Sequence, residues 1–205
     1  MEVQGQESTI FENCKLLYDK DGYLQVFTDG ACSFNGTERA WTGVGVYFNE
    51  LHPCNISMPV EGNQTCNAAE LRSALLGAQQ ALKMGAKKLT INTDSKPLIN
   101  SFQQWIPTWI DRGWVNTRGK PIKNKEDLIH LHKLLGCFES VKWNYVPSHG
   151  GTPGNESADK LAKDGIQRIS EEQHLASGSE VAYNDGKVNT SLITHGRYNL
   201  RPRKK

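Results

Sequence analysis

The sequence is short of the features that mark export or a membrane. Its first 25 residues carry Glu2, Glu7, Glu12, Asp19 and Asp21, with no basic start and no apolar run long enough for a signal peptide. No stretch approaches the roughly 20 apolar residues needed to span a bilayer. The expectation is a soluble protein of the nucleus or cytoplasm, without a membrane role. The Asn-x-Ser/Thr sequons, such as that at Asn55, are then chance matches. Cysteine is scarce and odd in number. None of Cys14, Cys32, Cys54, Cys66 and Cys137 pairs with another at the two-residue spacing of a zinc or redox motif, so reduced thiols are expected. A charge excess is missing too. In 205 residues, 24 Lys and Arg face 22 Asp and Glu, a net charge of +2 that excludes a general polyanion binder. Only local clusters of charge are left to mark a nucleic-acid surface.

What is present fits one domain with tails. Residues 1–21 form an acidic, polar N-terminal arm. Tyr23–Asp29 and Thr42–Phe48 are β-branched and aromatic runs around a turn-rich segment and read as antiparallel neighbours, with Asn55–Val60 a third strand. From Asn67 to Met84 apolar residues recur every three or four positions, at Ala68, Leu71, Leu75, Ala78 and Leu82, with Thr65 and Gly85 as caps. Lys88–Thr93 is a strand entering the sheet parallel to a neighbour. Ser95–Phe102 opens a helix with Pro97 in its first turn, followed by a Trp-rich segment and a loop through Lys120. Lys125–Leu135 is a helix, Val141–Val146 a strand and Asn155–Ile169 a final helix with Ala158, Leu161, Ala162 and Ile166 on one face. From residue 170 to 205 periodicity is lost, leaving a flexible tail whose end, RYNLRPRKK, is basic. The order β-β-β-α-β-α-α-β-α predicts an α/β domain over 22–169, a mixed sheet with helices packed on it.

Acids fall at the ends of these elements. Asp29 closes the first strand and Asp94 the fourth, so parallel pairing would bring both to the sheet edge where open α/β sheets bind ligands. Glu70 lies in the first turn of the long helix and Asp159 one turn after Asn155. Singly, each is an ordinary turn former or helix-dipole partner. Four carboxylates on one site repel unless a cation sits among them, and oxygen ligands favour Mg²⁺ or Mn²⁺. Two such ions about 4 Å apart suit phosphodiester hydrolysis. His149, in the glycine-rich loop SHGGTPG, is placed to assist proton transfer or product release.

The segments TDGACSFNG, QTCNAAELRSALLGAQQAL, INTDSKPL, NKEDL and PSHGGTPGNESADKLAKDG resemble, in order and spacing, the motifs of type 1 ribonuclease H. The resemblance implies a five-stranded mixed sheet with helices on both faces. It also implies an endonuclease that cuts the RNA strand of RNA–DNA hybrids with two Mg²⁺ ions, Mn²⁺ being a substitute, and leaves 3′-hydroxyl and 5′-phosphate ends. By motif position Asp29, Glu70, Asp94 and Asp159 would be the catalytic metal ligands, and His149 an assisting residue. Contacts to the RNA 2′-hydroxyl would come from Cys32, Ser33, Asn35, Cys66 and Asn67, and a DNA-phosphate pocket from Thr65 and Asn124. Trp105, with Trp109 and Trp114, lies in the segment that forms a basic protrusion along the DNA channel, and at least one of the three is expected in the core. From Asp111 to Lys133 six cations face three acids.

Departures from the family pattern concern substrate contacts. Asn63 stands where the phosphate pocket often has Arg, Cys66 where Asn commonly reads the 2′-hydroxyl, and Pro97 where an aromatic can meet the DNA sugar. Weaker hybrid binding than in typical members is therefore expected. The alternative reading is a catalytically weak or inactive hybrid-binding or partner-binding protein on the same fold. A monomer with no obligate protein partner is expected.

Overall fold

The structure, a computed structural model, describes residues 15–33, 41–60 and 65–179, with side chains as far as Arg168. The five strands are β1 (Leu24–Ser33), β2 (Trp41–Tyr47), β3 (Ile56–Pro59), β4 (Lys88–Thr93) and β5 (Ser140–Tyr145). The helices are α1 (Cys66–Lys83), α2 (Lys96–Asn100), α3 (Ile106–Asp111), α4 (Lys125–Leu135) and α5 (Pro153–Ser179). The strands form one sheet in the order β3-β2-β1-β4-β5. β2 is antiparallel to β1 and to β3, while β4 is parallel to both β1 and β5. This is the expected mixed sheet, and helices cover both of its faces.

The two faces are built differently. On one, α1 lies over β1 and β2, its Gly77 set against Val26, Thr28 and Val46, and Leu128 and Leu131 of α4 join the same apolar core. On the other, α5 crosses β2 at Gly43 and Gly45, where a Cβ would strike the Ala162 and Ala158 carbonyls. Glycines alternating along β2 thus turn a bare strip of strand toward α5, and the valine after each, Val44 and Val46, faces the core under α1.

Several elements differ from the expectation. β1 continues four residues past Asp29, because β2 goes on pairing to Ser33 after β4 has diverged. Asp29 therefore lies inside the strand, two residues past the last parallel pair, Phe27↔Asn92. Glu70 lies in the second turn of α1, whose first turn holds no acid, so it is no helix-dipole partner. The helix opened at Lys96 does not stop near Phe102; a π turn, Ser101–Trp105, carries it into α3 and on to Asp111. Pro107 in the first turn of α3 lacks an N–H and would clash with the carbonyl four residues back, and the wider π turn accommodates that break. α5 begins at Pro153 and extends to Ser179, ten residues past Ile169. Trp109 and Trp114 are half-buried against the core, but none of the three tryptophans is fully buried and Trp105 is exposed. Part of the N-terminal arm packs on the domain: Leu16 reaches the core and Tyr18 bridges to Leu24. The basic end of the tail lies outside the described residues. Among these, no helix is long and apolar enough to cross a membrane.

Candidate active site

The parallel register Leu24↔Leu89 through Phe27↔Asn92 carries Asp29 level with Asp94 where the two strands part. Side-chain amides, the buried Asn92 and the exposed Asn144, pin the strands just below. Asn92 Nδ2 donates to Val26 O at 3.0 Å, and Asn144 Nδ2 donates to Asn92 Oδ1 at 2.7 Å, tying β1, β4 and β5 together. Glu70 arrives from α1, which approaches so closely that a Cβ on Gly30 would collide with Ala69 and the Glu70 amide. Ligand oxygens of Asp29, Glu70 and Asp94 all lie within 4.8 Å of one another.

Two of these acids are held against their ordinary charge. Burial, then the nearby Asp94 carboxylate, raises Asp29 to about 6. Burial, then Asp29 and Asp94, pushes Glu70 well above the carboxylate range. Glu70 Oε2 is buried and finds no hydrogen-bond partner among the described residues. An orphaned acceptor beside two clustered carboxylates fits a hard divalent cation, the species that would satisfy all three groups together.

The cluster opens into a cleft of about 400 Å³. Asp159 of α5 lines it outside the three-acid group, its Oδ2 paired with Lys163 at 2.6 Å. His149 lines it too, exposed, with a left-handed backbone at φ 53°. Its neighbour Ser148 donates from Oγ to Asp94 Oδ2 at 2.7 Å. Cys32, Ser33 and Cys66 share the cleft, whereas Asn67, Trp105 and Asn124 line a separate pocket of about 260 Å³ with Pro97 and Lys123. Thr65 caps α1, accepting from the Ala68 N–H at 3.3 Å. Asn35 and Asn63 lie outside the described residues.

A family model described as RNase H matches residues 21–167. The chain belongs to the type 1 ribonuclease H family. It is 38% identical over 146 residues to human Ribonuclease H1, covering 71% of this chain and 51% of that protein. The Ribonuclease H of Dichelobacter nodosus is 36% identical over 146 residues, 71% of this chain and 93% of its own. The chain thus spans about half the length of its mammalian relatives and nearly all of a bacterial one. The solution structure of the PFV RNase H domain aligns with a TM-score of 0.57 at 26% identity, covering 70% of this chain and 93% of that one. The crystal structure of LC9-RNase H1, a type 1 RNase H, aligns at 0.55 and 25% identity, covering 70% and 71%.

Ser148, Asn155 and Lys163 are cleft residues that the sequence reading did not single out. Lys163 follows Asp159 by four positions on a helix, a visible ion-pair spacing. Asn155, only 3% exposed with an unpartnered Oδ1 in the cleft wall, left no sequence signal beyond opening a helix.

Proposed function

We propose that the cleft hydrolyses the RNA strand of RNA–DNA hybrids with two Mg²⁺ ions, Mn²⁺ being able to replace them, and leaves 3′-hydroxyl and 5′-phosphate ends. The observation that carries this reading is the convergence of Asp29, Glu70 and Asp94 where β1 and β4 diverge. The name ribonuclease H borne by the relatives supports it. These three carboxylates would hold the ions, with Asp159 completing the set from α5. When bound, the ions supply an activated water and neutralise charge on the leaving oxygen.

The chain's own residues do the rest. The Gly30 N–H fixes Asp29 Oδ1 at 2.7 Å, and Ser148 orients Asp94. Lys163 holds Asp159 at the cleft wall. His149, on the open side, protonates the departing 3′-oxygen or eases product release. Cys32, Ser33, Cys66 and Asn67, at the end of β1 and the start of α1, read the RNA 2′-hydroxyls, and by motif position Asn35 does so too. Thr65 and Asn124 hold a DNA phosphate, and Trp105 lies along the DNA strand beside the exposed cations Arg112 and Lys123. The protein acts as a monomer.

Incubation with a labelled hybrid, an RNA duplex and a DNA duplex tests the reading. Cleavage of the RNA of the hybrid alone, giving ligatable 5′-phosphates in Mg²⁺ and nothing in EDTA, is expected, with Asp94→Asn inactive. Equal hybrid binding by both proteins with no cleavage by either would replace it with the inactive-binder reading.

A further inference from the structure

Strand β1 and helix α1 run in opposite directions along their contact. Val26 and Thr28 meet Gly77, and Gly30 meets Ala69 and Glu70, so each step up the strand moves toward the start of the helix. Side chains on one face of a strand recur about every 6.8 Å, which matches four to five helix residues at about 1.5 Å each. The next β1 position on this face is Cys32, and the helix position it meets is Cys66, the first residue of α1. The two thiols are close enough to influence each other electrostatically, both line the cleft, and both are free and partly exposed. Their separation in sequence hides a pairing that only the strand–helix register creates.

We propose that Cys32 and Cys66 form a reversible disulfide in exchange with a small disulfide of the glutathione class, and that this bond shuts hybrid out of the cleft while the carboxylate cluster stays intact. The blocking half rests on the reading that the cleft takes a hybrid. Closing two sulfurs to a bond of about 2.05 Å consumes both S–H groups and draws the end of β1 onto the start of α1, where the RNA strand would lie. Asp29 and Glu70 are spared because the Gly30 contact already fixes that part of the seam.

The exchange has an order. Burial and the Cys66 thiol push Cys32 up to about 11, so Cys32 keeps its proton at neutral pH. Attack by the Cys66 sulfur on one sulfur of glutathione disulfide forms the mixed disulfide and expels one glutathione, which carries away the Cys66 proton. Cys32 then attacks the Cys66 sulfur of the mixed disulfide, and its proton leaves with the second glutathione. Two protein thiols are oxidised by two electrons, and one glutathione disulfide becomes two glutathione thiols.

The test uses the full chain equilibrated with glutathione disulfide and digested without reduction for mass spectrometry. A linked Cys32–Cys66 peptide is expected, with exposed Cys137 present as a glutathione adduct. Cys32→Ala should stop at a Cys66–glutathione adduct, and Cys66→Ala should leave Cys32 unmodified. Hybrid affinity, read by fluorescence anisotropy in EDTA, should fall roughly tenfold or more on oxidation and return with dithiothreitol. Mg²⁺ binding by calorimetry should hold. Cys32 and Cys66 left as thiols or as separate adducts where Cys137 has reacted would overturn the proposal, as would a linked pair with unchanged hybrid affinity. A reduced chain that binds no hybrid, while the linked peptide still forms, would overturn the hybrid reading and the blocking half with it, leaving the bond itself mapped.

Discussion

His149 holds a left-handed backbone, a conformation that costs a non-glycine residue about 1 kcal/mol, in a loop tied down by the Ser148–Asp94 hydrogen bond. The tie sets the imidazole at the rim of the cleft without burying it, as suits a group that must meet both a leaving oxygen and solvent. Removing it leaves the acids in place. His149→Ala is therefore expected to slow single-turnover hybrid cleavage by roughly a hundredfold, a smaller loss than Asp29→Asn causes. Equal losses, measured side by side, would place His149 within the carboxylate machinery itself. At this scale the sequence was most readable. Asp29, Glu70, Asp94 and His149 each sit in a segment whose neighbours carry the resemblance. The Ser148 bond and the buried acceptor of Asn155 were invisible, since both depend on how the loop before α5 folds back.

The β1–α1 seam decides whether two elements deliver their acids to one place. A methyl group at Gly30 would strike backbone atoms of Ala69 and Glu70, which cannot swing aside as a flexible side chain would. Gly30→Ala should lower thermal stability by about 1–3 kcal/mol and weaken divalent-metal binding, because α1 must retreat and take Glu70 with it. Calorimetric Mn²⁺ titration against Glu70→Gln checks the second part; an unchanged affinity would contradict the account. Periodicity placed α1 and the strands closely, since each has one buried face and one period. It failed at the ends of two helices. The helix expected to close near Phe102 continues through a π turn past Pro107, and α5 runs on to Ser179 although apolar periodicity in the sequence stops near Ile169. Asp29 read as a strand terminus because local sequence shows nothing of a β2 partner that keeps pairing alone to Ser33.

Across the molecule, a net charge of +2 conceals a strongly acidic cleft beside an exposed basic segment from Arg112 to Lys133. Metal and proton compete for that cleft. Asp29 has its folded value raised from 3.8 to about 6, so between these the folded chain binds more protons than the unfolded one and stability falls as pH rises. Above about 6 the full penalty stands, on the order of 3 kcal/mol for a shift of this size. Without metal, Asp29→Asn should accordingly raise the melting temperature at pH 7.5 and leave it little changed at pH 4, and Mg²⁺ should stabilise the wild type more than the variant. Comparing the two proteins cancels His52, whose value is lowered by burial and which loses stability as pH falls below 6.5. A variant less stable than wild type at pH 7.5 without metal would contradict this sign. Metal affinity should also fall as pH drops through about 6.

The central claim, that the Asp29–Glu70–Asp94 cluster is a divalent-metal site that cuts RNA in a hybrid, is tested most directly by the single-turnover cleavage rate as Mg²⁺ is titrated. The wild-type rate should rise from nothing to a plateau, and Asp94→Asn should stay lower by roughly a thousandfold at every concentration. A rate independent of Mg²⁺, or equal in the two proteins, would contradict the account.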